Sequence, residues 1–470
     1  MMLSSRARLA ILLPAMALGA CSMAPKYVQP DAPVPASWPA GDAYLTQSEA
    51  ALPLVSYTGI FRDERLQALI RQALANNRDL RVAAANVAAA RAQVRAVRSE
   101  QFPELGVSGS ATYADRQGSS GDGWSYSAQG GVSSFELDLF GKLANATEAQ
   151  RNAALSTESA ARTVRLGLVA DLARAWSTYA ADKDLLRIAQ ETAANAQRSV
   201  ELTGALLKAG VAPRTDLRQA QQVLETARGD LASQQTALAQ DINAIRLLVG
   251  ADIDRTMLPD TIDKVNDSLA VLPAGTSSQV LLRRPDVIGA EYDLRAANAD
   301  IGVARAQLFP SISLTGLLGF ASNSLSSLFT DGAFSATGGG NAGWSIFNAG
   351  GKAANVDVAK ARRDAALATY EKTIQTAFSE VADALADQGT LSERLRSARA
   401  FTEAANDTAK LTEARYRQGI DSYLDNLDAQ RSLYSARKTE VAVRLAVASN
   451  RITLYRVLGG DQASDAAASD

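Results

Sequence analysis

The chain has 470 residues, with 48 basic against 50 acidic side chains, a single cysteine and no histidine. Near-neutral charge without a long like-charge run argues against a nucleic-acid binder, and a lone thiol excludes a disulfide framework. Without histidine the commonest general base and metal ligand are missing, so neither an enzyme, a metal centre nor a cofactor is expected.

Arg6 and Arg8 precede "LAILLPAMALGA", an apolar run too short and too early to be a spanning helix. Cys21 comes directly after Leu18, Gly19 and Ala20, a layout that resembles the lipobox of bacterial lipoproteins. That likeness implies that residues 1–20 are a leader, that Cys21 carries covalent lipid, and that Ser22 favours sorting to the outer membrane. Residues 21–60 then read as the lipidated cysteine and an extended segment, "APKYVQPDAPVPASWPAG". No later apolar run approaches the roughly 20 residues of a transmembrane helix. The chain is anchored by lipid alone or enters a membrane as strands.

From residue 61 onward the chain is written twice. "RDLRVAAANVAAARAQVRAVRSEQFPELGVSGS" from Arg78 aligns without a gap on "PDVIGAEYDLRAANADIGVARAQLFPSISLTGL" from Pro285. Phe102-Pro103 falls on Phe309-Pro310, Arg98 on Arg305 and Asp79 on Asp286. "FELDLFGK" matches "WSIFNAGGK" with a one-residue difference, and "KAGVAPRTDLRQAQQVLETAR" matches "RQGIDSYLDNLDAQRSLYSAR". The period is far too long for a solenoid, so the pattern means a duplicated architecture. The first repeat spans 61–250, a bridge 251–285, the second repeat 286–459, and 460–470 has the composition of a disordered tail.

Each repeat reads helix, two strands, long helix, turn, helix. Residues 61–101 have helical composition, stopped by the pre-proline restriction at Phe102. Strands are expected at about 104–140 and 311–349, where apolar and small polar residues alternate. Leu105, Val107 and Tyr113 belong to this pattern, as do Phe135, Leu137 and Leu139, then Ile312, Leu314 and Leu318, and finally Trp344 and Ile346. Leu314 and Leu137 are expected to face lipid and Ser313 a water-filled lumen. Proline-free helices run from about 141 to 209 and 352 to 418, each turning at a Gly-containing tip. Narrow alanine-rich stripes suit helices that touch neighbours on both sides. Alternating strands fit an outer-membrane barrel, but four are too few to close one, so chains must pool strands.

"RRPDVIGAEYDLRAANADIGVARAQLFPSISLTG", "FELDLFGK" and "YRQGIDSYLDNLDAQRSLYSAR" resemble the outer membrane factor lipoproteins, the TolC- and OprM-like efflux ducts. Where that family usually has Gly-Leu-Pro-Ser, this chain reads "AGTSSQ" (274–279). The resemblance implies a mainly α fold with a membrane β-barrel portion. In it a homotrimer forms a twelve-stranded outer-membrane barrel on a long periplasmic α-helical barrel. It implies a passive exit duct for an inner-membrane pump of the RND class and a periplasmic adaptor. Rival readings are a duct for protein secretion and a periplasmic coiled-coil scaffold without a pore.

"GGGNAG" satisfies G-x-G-x-x-G but precedes an expected strand and opens no helix, so a hairpin loop is expected there and not a dinucleotide site. The second tip is more informative. Asp421, Asp425 and Asp428 stand at i, i+4 and i+7 on the returning helix. Asp421 reads as a helix N-cap and Asp425 as a favourable charge near the dipole, or both belong with Asp428 to a functional acidic stripe. Asp428 lies two turns in, where capping explains it poorly. The resemblance puts Leu424 and Asp428 on constricting rings of a periplasmic gate, with Asp425 near the same level. It makes Tyr416, Arg417 and Arg431 candidates for closing bonds, with Asp216 of the first tip as a partner.

Overall fold

The computed structural model describes residues 22–39, 41, 43–44, 56–114, 123–271 and 277–460. The leader, Cys21, most of 40–55 and the tail from 461 lie outside the described residues. The chain divides into two compact units. Unit 1 comprises 1–32, 85–159 and 288–372, and unit 2 comprises 33–84, 160–287 and 373–470.

The first repeat holds α1 (Tyr57–Ile60), α2 (Glu64–Asn76), α3 (Arg78–Ser99), β1 (Gly106–Ala114), β2 (Gly123–Glu136), α4 (Lys142–Lys208) and α5 (Arg214–Val249). The bridge contributes two 3-10 turns, Arg255–Met257 and Ser278–Arg283, around α6 (Ile262–Ser268). The second repeat holds α7 (Pro285–Ala306), β3 (Ser311–Ser322), β4 (Phe334–Gly343), α8 (Gly351–Arg417) and α9 (Tyr423–Val457). At 1.5 Å per residue the two 67-residue helices, α4 and α8, are each about 100 Å long.

Unit 1 is built on one antiparallel sheet in the order β1-β2-β3-β4. Directly paired residues share a face, so the register assigns every side chain. One face carries Val107, Tyr113, Trp124, Tyr126, Val132, Phe135, Ile312, Leu314, Leu318, Phe320 and Phe334 among glycines and alanines. Only Ser322, at a strand end, interrupts it. The opposite face carries serines and threonines with Gln129, Glu136 and Asn341, and Leu317 is its one large apolar residue. Between Val132 and Phe135 a bulge inserts one extra residue and keeps both on the apolar face. Gly131 enters it at φ 146°, where a Cβ would overlap the Gly316 carbonyl.

The strands end sooner than alternation predicts. Leu137 and Leu139 lie beyond β2, and β4 runs through "GGGNAG", the stretch expected to be a loop, so that Trp344 and Ile346 lie beyond it. The Leu137 N–H still donates to the Ile312 carbonyl at 2.8 Å, then Leu139 N–H closes on the Leu137 carbonyl at 2.9 Å and the chain turns. Asp138 accepts from Ala144 N–H at 2.7 Å and so starts α4. In the second repeat, Ala349 (φ 51°) and Gly350 (φ 82°) make the turn, while the Trp344 indole N–H donates to the Leu308 carbonyl.

The helix expected over 61–101 is also interrupted. Asn77 leaves the helical conformation (ψ 137°), accepts from the N–H groups of Asp79 and Leu80, and donates to the Leu248 carbonyl at 2.9 Å. One side chain ends α2, caps α3 and ties both to α5. The second repeat starts α7 at Pro285, which suits the first helical position.

Unit 2 is held by a core containing Trp176, Phe61, Tyr455, Ile245 and Ile262, all fully buried. The bridge is stitched into it. Asp184 accepts from Ile262 N–H at 3.0 Å, and Arg451 donates to the carbonyls of Asn266 and Leu269. Buried Arg284 forms ion pairs with Asp286 and Glu380 and donates to the Val457 carbonyl. Ser278 donates through Oγ to the Pro35 carbonyl at 2.6 Å, and its N–H bonds the Ala36 carbonyl.

Asp182 on α4 and Asp241 on α5 share a hydrogen bond, and no cation contributes at either. Burial, reinforced by the Asp182 charge, pushes the Asp241 carboxyl up to about 7. Between the unfolded value near 4 and this one the folded chain holds a proton that the unfolded chain releases. The pair's stabilisation is therefore complete at low pH and lost as pH rises through about 7. The melting temperature should fall from about pH 5 to about pH 8, and Asp241→Asn should flatten that slope. An unchanged slope in the variant would show that the pair does not share its proton.

Candidate functional site

The two helical hairpins of unit 2 end in short turns. α4 ends at Lys208 and passes Gly210 (φ 74°) into α5. α8 ends at Arg417 and passes Gly419 (φ 73°) into α9. Glycine provides the left-handed conformation that both turns require.

At the second tip Ser422, not Asp421, is the N-cap of α9. Its hydroxyl accepts from Asp425 N–H, and the Asp425 carboxylate accepts from Ser422 N–H, a reciprocal capping box. Asp421 is engaged elsewhere. Arg415 donates to both of its oxygens, at 2.7 and 2.8 Å, across the turn. The Arg415 hydrogen bonds hold the Asp421 carboxyl below the usual carboxylate range. Asp425 is thus committed to its cap, whereas Asp428 is exposed, with only the Arg431 guanidinium at 3.9 Å.

The tip helix has a sharp division of faces. Tyr423 and Leu427 are buried, while Leu424 is 52% exposed and Asp428 is exposed one turn on. Leu424, Asp428 and Arg431 therefore form a stripe that nothing in the described chain covers. Arg417, at the end of α8, pairs with Glu413 on its own helix.

Tyr416 points the other way. It packs edge-on against Tyr423, ring centroids 5.4 Å apart, in a cluster with Leu427 and with Ala220 of α5. Its hydroxyl is buried and finds no hydrogen-bond partner among the described residues. Burial raises the Tyr423 phenol to about 12, with the charges of Tyr416 and Asp216 adding to it. The Asp216 charge also acts on Tyr416. The structure brings Tyr416 and Asp216 together across the two hairpins, and it leaves Arg417 and Arg431 unjoined to Asp216. Arg415, Ser422 and Tyr423 are the residues that sequence reasoning passed over. "SYLD" carries the S-x-x-D cap signal, whereas nothing local announces an Arg-Asp pair six residues apart.

Above the tip, α4, α5 and α9 enclose a groove of about 440 Å³, into which Val223 and Leu433 face. In it the Tyr434 hydroxyl donates to Asp230 at 2.8 Å. Among the described residues no group of three or more acidic or thiol side chains is placed to hold a metal. No helix among them is long and apolar enough to cross a membrane.

The duplicated helix-strand-helix order and the two-faced sheet have counterparts in known proteins. The pattern of the outer membrane efflux protein family matches residues 69–251 and again 276–460. The chain belongs to that family. It is 42% identical over 472 residues to the probable efflux pump outer membrane protein TtgC of Pseudomonas putida, covering 97% of this chain and 96% of that one. It is 39% identical over 457 residues to the cation efflux system protein CusC of Escherichia coli, covering 95% and 97%. A crystal structure of CusC superposes with a TM-score of 0.84 over 94% of this chain and all of that one, at 39% identity. The open state of the Neisseria gonorrhoeae MtrE outer membrane channel gives 0.82 at 32% identity, covering 94% and 98%. Family membership places the chain in the outer membrane, among channel-type efflux proteins.

Proposed function

We propose that the chain is the exit duct of a tripartite efflux system, passively conducting substrates from an inner-membrane pump of the RND class and a periplasmic adaptor. The sheet carries this reading. Its four strands have an apolar face without a single charge, a polar face, and two edges, β1 and β4, unpaired among the described residues. Each unpaired backbone group would cost several kcal/mol in hydrocarbon. Three chains closing edge to edge make a twelve-stranded barrel with the apolar face on lipid and the polar face on water. Aromatic clusters at the loop end, Tyr113–Trp124–Tyr126 and Phe320–Phe334, and the Phe140–Phe309 stack at the other fit interfacial girdles. Relatives named for toluene and for cation efflux are similarly close, so the pump, not the duct, is the natural selector of cargo.

Lipidation of Cys21 is supported by the path of residues 22–25. Ser22 donates to Asn145 at 2.7 Å, the Met23 carbonyl accepts from Arg305, and the Pro25 carbonyl from Asn298. This lays the chain along α7 with its start at the first turn of α4, just below the sheet, where an acyl chain meets the inner leaflet. Mass spectrometry of the mature protein should find Cys21 as its first residue, acylated. Cys21→Ser, exported by a non-lipoprotein signal, should still form trimers, but fewer, because the barrel holds the protein in the membrane. An unmodified thiol at Cys21 would end the lipoprotein reading.

The uncovered stripe at the second tip is the proposed gate. Three-fold symmetry would gather Leu424 and Asp428 around one axis, and converging carboxylates favour cations. Arg417 and Arg431 are exposed and can reach a neighbouring chain, whereas Tyr416 sets the tip's shape through packing. Asp428→Ala should lower cation preference in bilayer recordings, and Arg417→Ala should raise the open fraction. Unchanged selectivity in Asp428→Ala would reduce the stripe to a solvated helix face.

A further inference from the structure

Two aromatic side chains at the helical end of the sheet lack the partner that their counterparts have. Where β2 ends and β3 begins, Phe140 and Phe309 stack with ring centroids 4.5 Å apart and planes inclined by 16°. The duplication supplies a second pair in the same places. One and the same count of residues separates Phe102 from Phe309, the end of β2 at Glu136 from the end of β4 at Gly343, and Phe140 from Phe347. The backbone repeats too. Phe102 N–H donates to the Ser99 carbonyl at 3.0 Å, as Phe309 N–H does to the Ala306 carbonyl at 3.1 Å. The extra residues of the second repeat fall after Phe347, in the turn through Ala349 and Gly350 that leads into α8. Phe102 precedes β1 and Phe347 follows β4, however, and these are the two outer strands. Three strand spacings, about 14 Å, keep the rings apart within one chain. Phe102 is 58% exposed and Phe347 87%, and neither has a ring partner among the described residues.

We propose that Phe347 of one chain stacks on Phe102 of the next, an aromatic clasp at the foot of each seam between protomers. The inference rests on the duct reading, which sets β4 of one chain beside β1 of its neighbour. Transferring the internal β2–β3 pairing to that seam provides a check. Glu136 opposite Ser313 becomes Gly343 opposite Gly106, and Phe135 opposite Leu314 becomes Ala342 opposite Val107. Ala342 and Val107 both belong to the apolar face, so the transferred register keeps that face continuous across the seam. The seam has few other means of fixing its register. β4 reads "FSATGGGNAG" and β1 "GVSGSATYA", so few large side chains meet there, and a glycine-rich pairing slips easily. A slip of two residues would preserve the faces but part the rings by about 7 Å. Stacking therefore selects the one register that the backbone hydrogen bonds alone leave open.

The test uses full-length trimers carrying paired cysteines. Phe140→Cys/Phe309→Cys sets the scale: the shortest bifunctional maleimide that closes this pair within one chain is then applied to Phe102→Cys/Phe347→Cys. The second variant should run as covalent dimers and trimers on a denaturing gel. Each single variant should stay monomeric, as should the parent, whose only native cysteine is Cys21. A second readout needs no new thiol. Phe102→Ala and Phe347→Ala should each speed dissociation of the detergent-extracted trimer at least about twofold, the scale of one lost aromatic pair. The double alanine variant should dissociate no faster than the faster single one, because both changes remove the same contact. If the paired-cysteine chain fails to assemble, this cycle decides the matter. Intact trimers that the chosen reagent does not join between chains, or alanine effects that simply multiply, overturn this inference alone. A native protein that forms no trimer overturns the duct reading beneath it.

Discussion

Leu314→Arg is expected to cost the barrel about 2–4 kcal/mol, and Ser313→Arg, its immediate neighbour, far less. Leu314 sits on the apolar face between Phe135 and Gly340 and is 41% exposed in the single chain. In a closed barrel that exposure is to lipid, where a guanidinium loses its hydration without gaining a partner. Ser313 sits between Glu136 and Asn341 on the polar face, so an arginine there meets water and a carboxylate. Trimer yield after detergent extraction, and the denaturant midpoint of what is recovered, should separate the two variants clearly. Equal losses would mean that the faces are assigned wrongly or that the sheet does not meet lipid.

Trp176→Ala should be the most damaging single truncation in the helical unit, at about 3–5 kcal/mol. The ring is 1% exposed, and the Arg65 guanidinium lies 5.8 Å from its centroid. Its indole N–H donates to the Met257 carbonyl at 3.0 Å, pinning the bridge to α4. Truncation leaves a cavity and an unpaired carbonyl at once. Trp176→Phe fills most of the space and loses only the hydrogen bond, so it should cost about 1–2 kcal/mol. Thermal unfolding of the purified protein would rank them. Similar midpoints for Trp176→Ala and the native chain would show that the bridge is not held through this contact.

The duplication and the helix-strand alternation were legible because each is a periodic signal carried by many residues. The two faces of the sheet arise from a period of two whose phase shifts by one residue between Val132 and Phe135, and the bulge there absorbs the shift so that both stay on the apolar face. Breaks in pattern were not legible, since each depends on a distant partner. Asn77 interrupts a helical run because the Leu248 carbonyl needs a donor. Trp344 leaves its strand for the Leu308 carbonyl. At the tip the acidic spacing was visible, but not its division of labour. Arg415 takes Asp421 and Ser422 takes Asp425, which leaves Asp428 as the one uncommitted carboxylate of the three. Tyr416 looked like a surface donor in sequence, and only Ala220 and Tyr423 reveal it as packing. Four strands, too few to close a barrel, already pointed to an oligomer, whereas the number three, the adaptor and the pump came from family resemblance.

The central claim is that the two-faced sheets of three chains enclose a water-filled passage. Single-channel recording of the purified full-length protein in a planar bilayer tests it most directly. The account predicts discrete conductance steps from the native protein and a larger open fraction from Arg417→Ala. Intact, membrane-inserted trimers that pass no current in either form would contradict it.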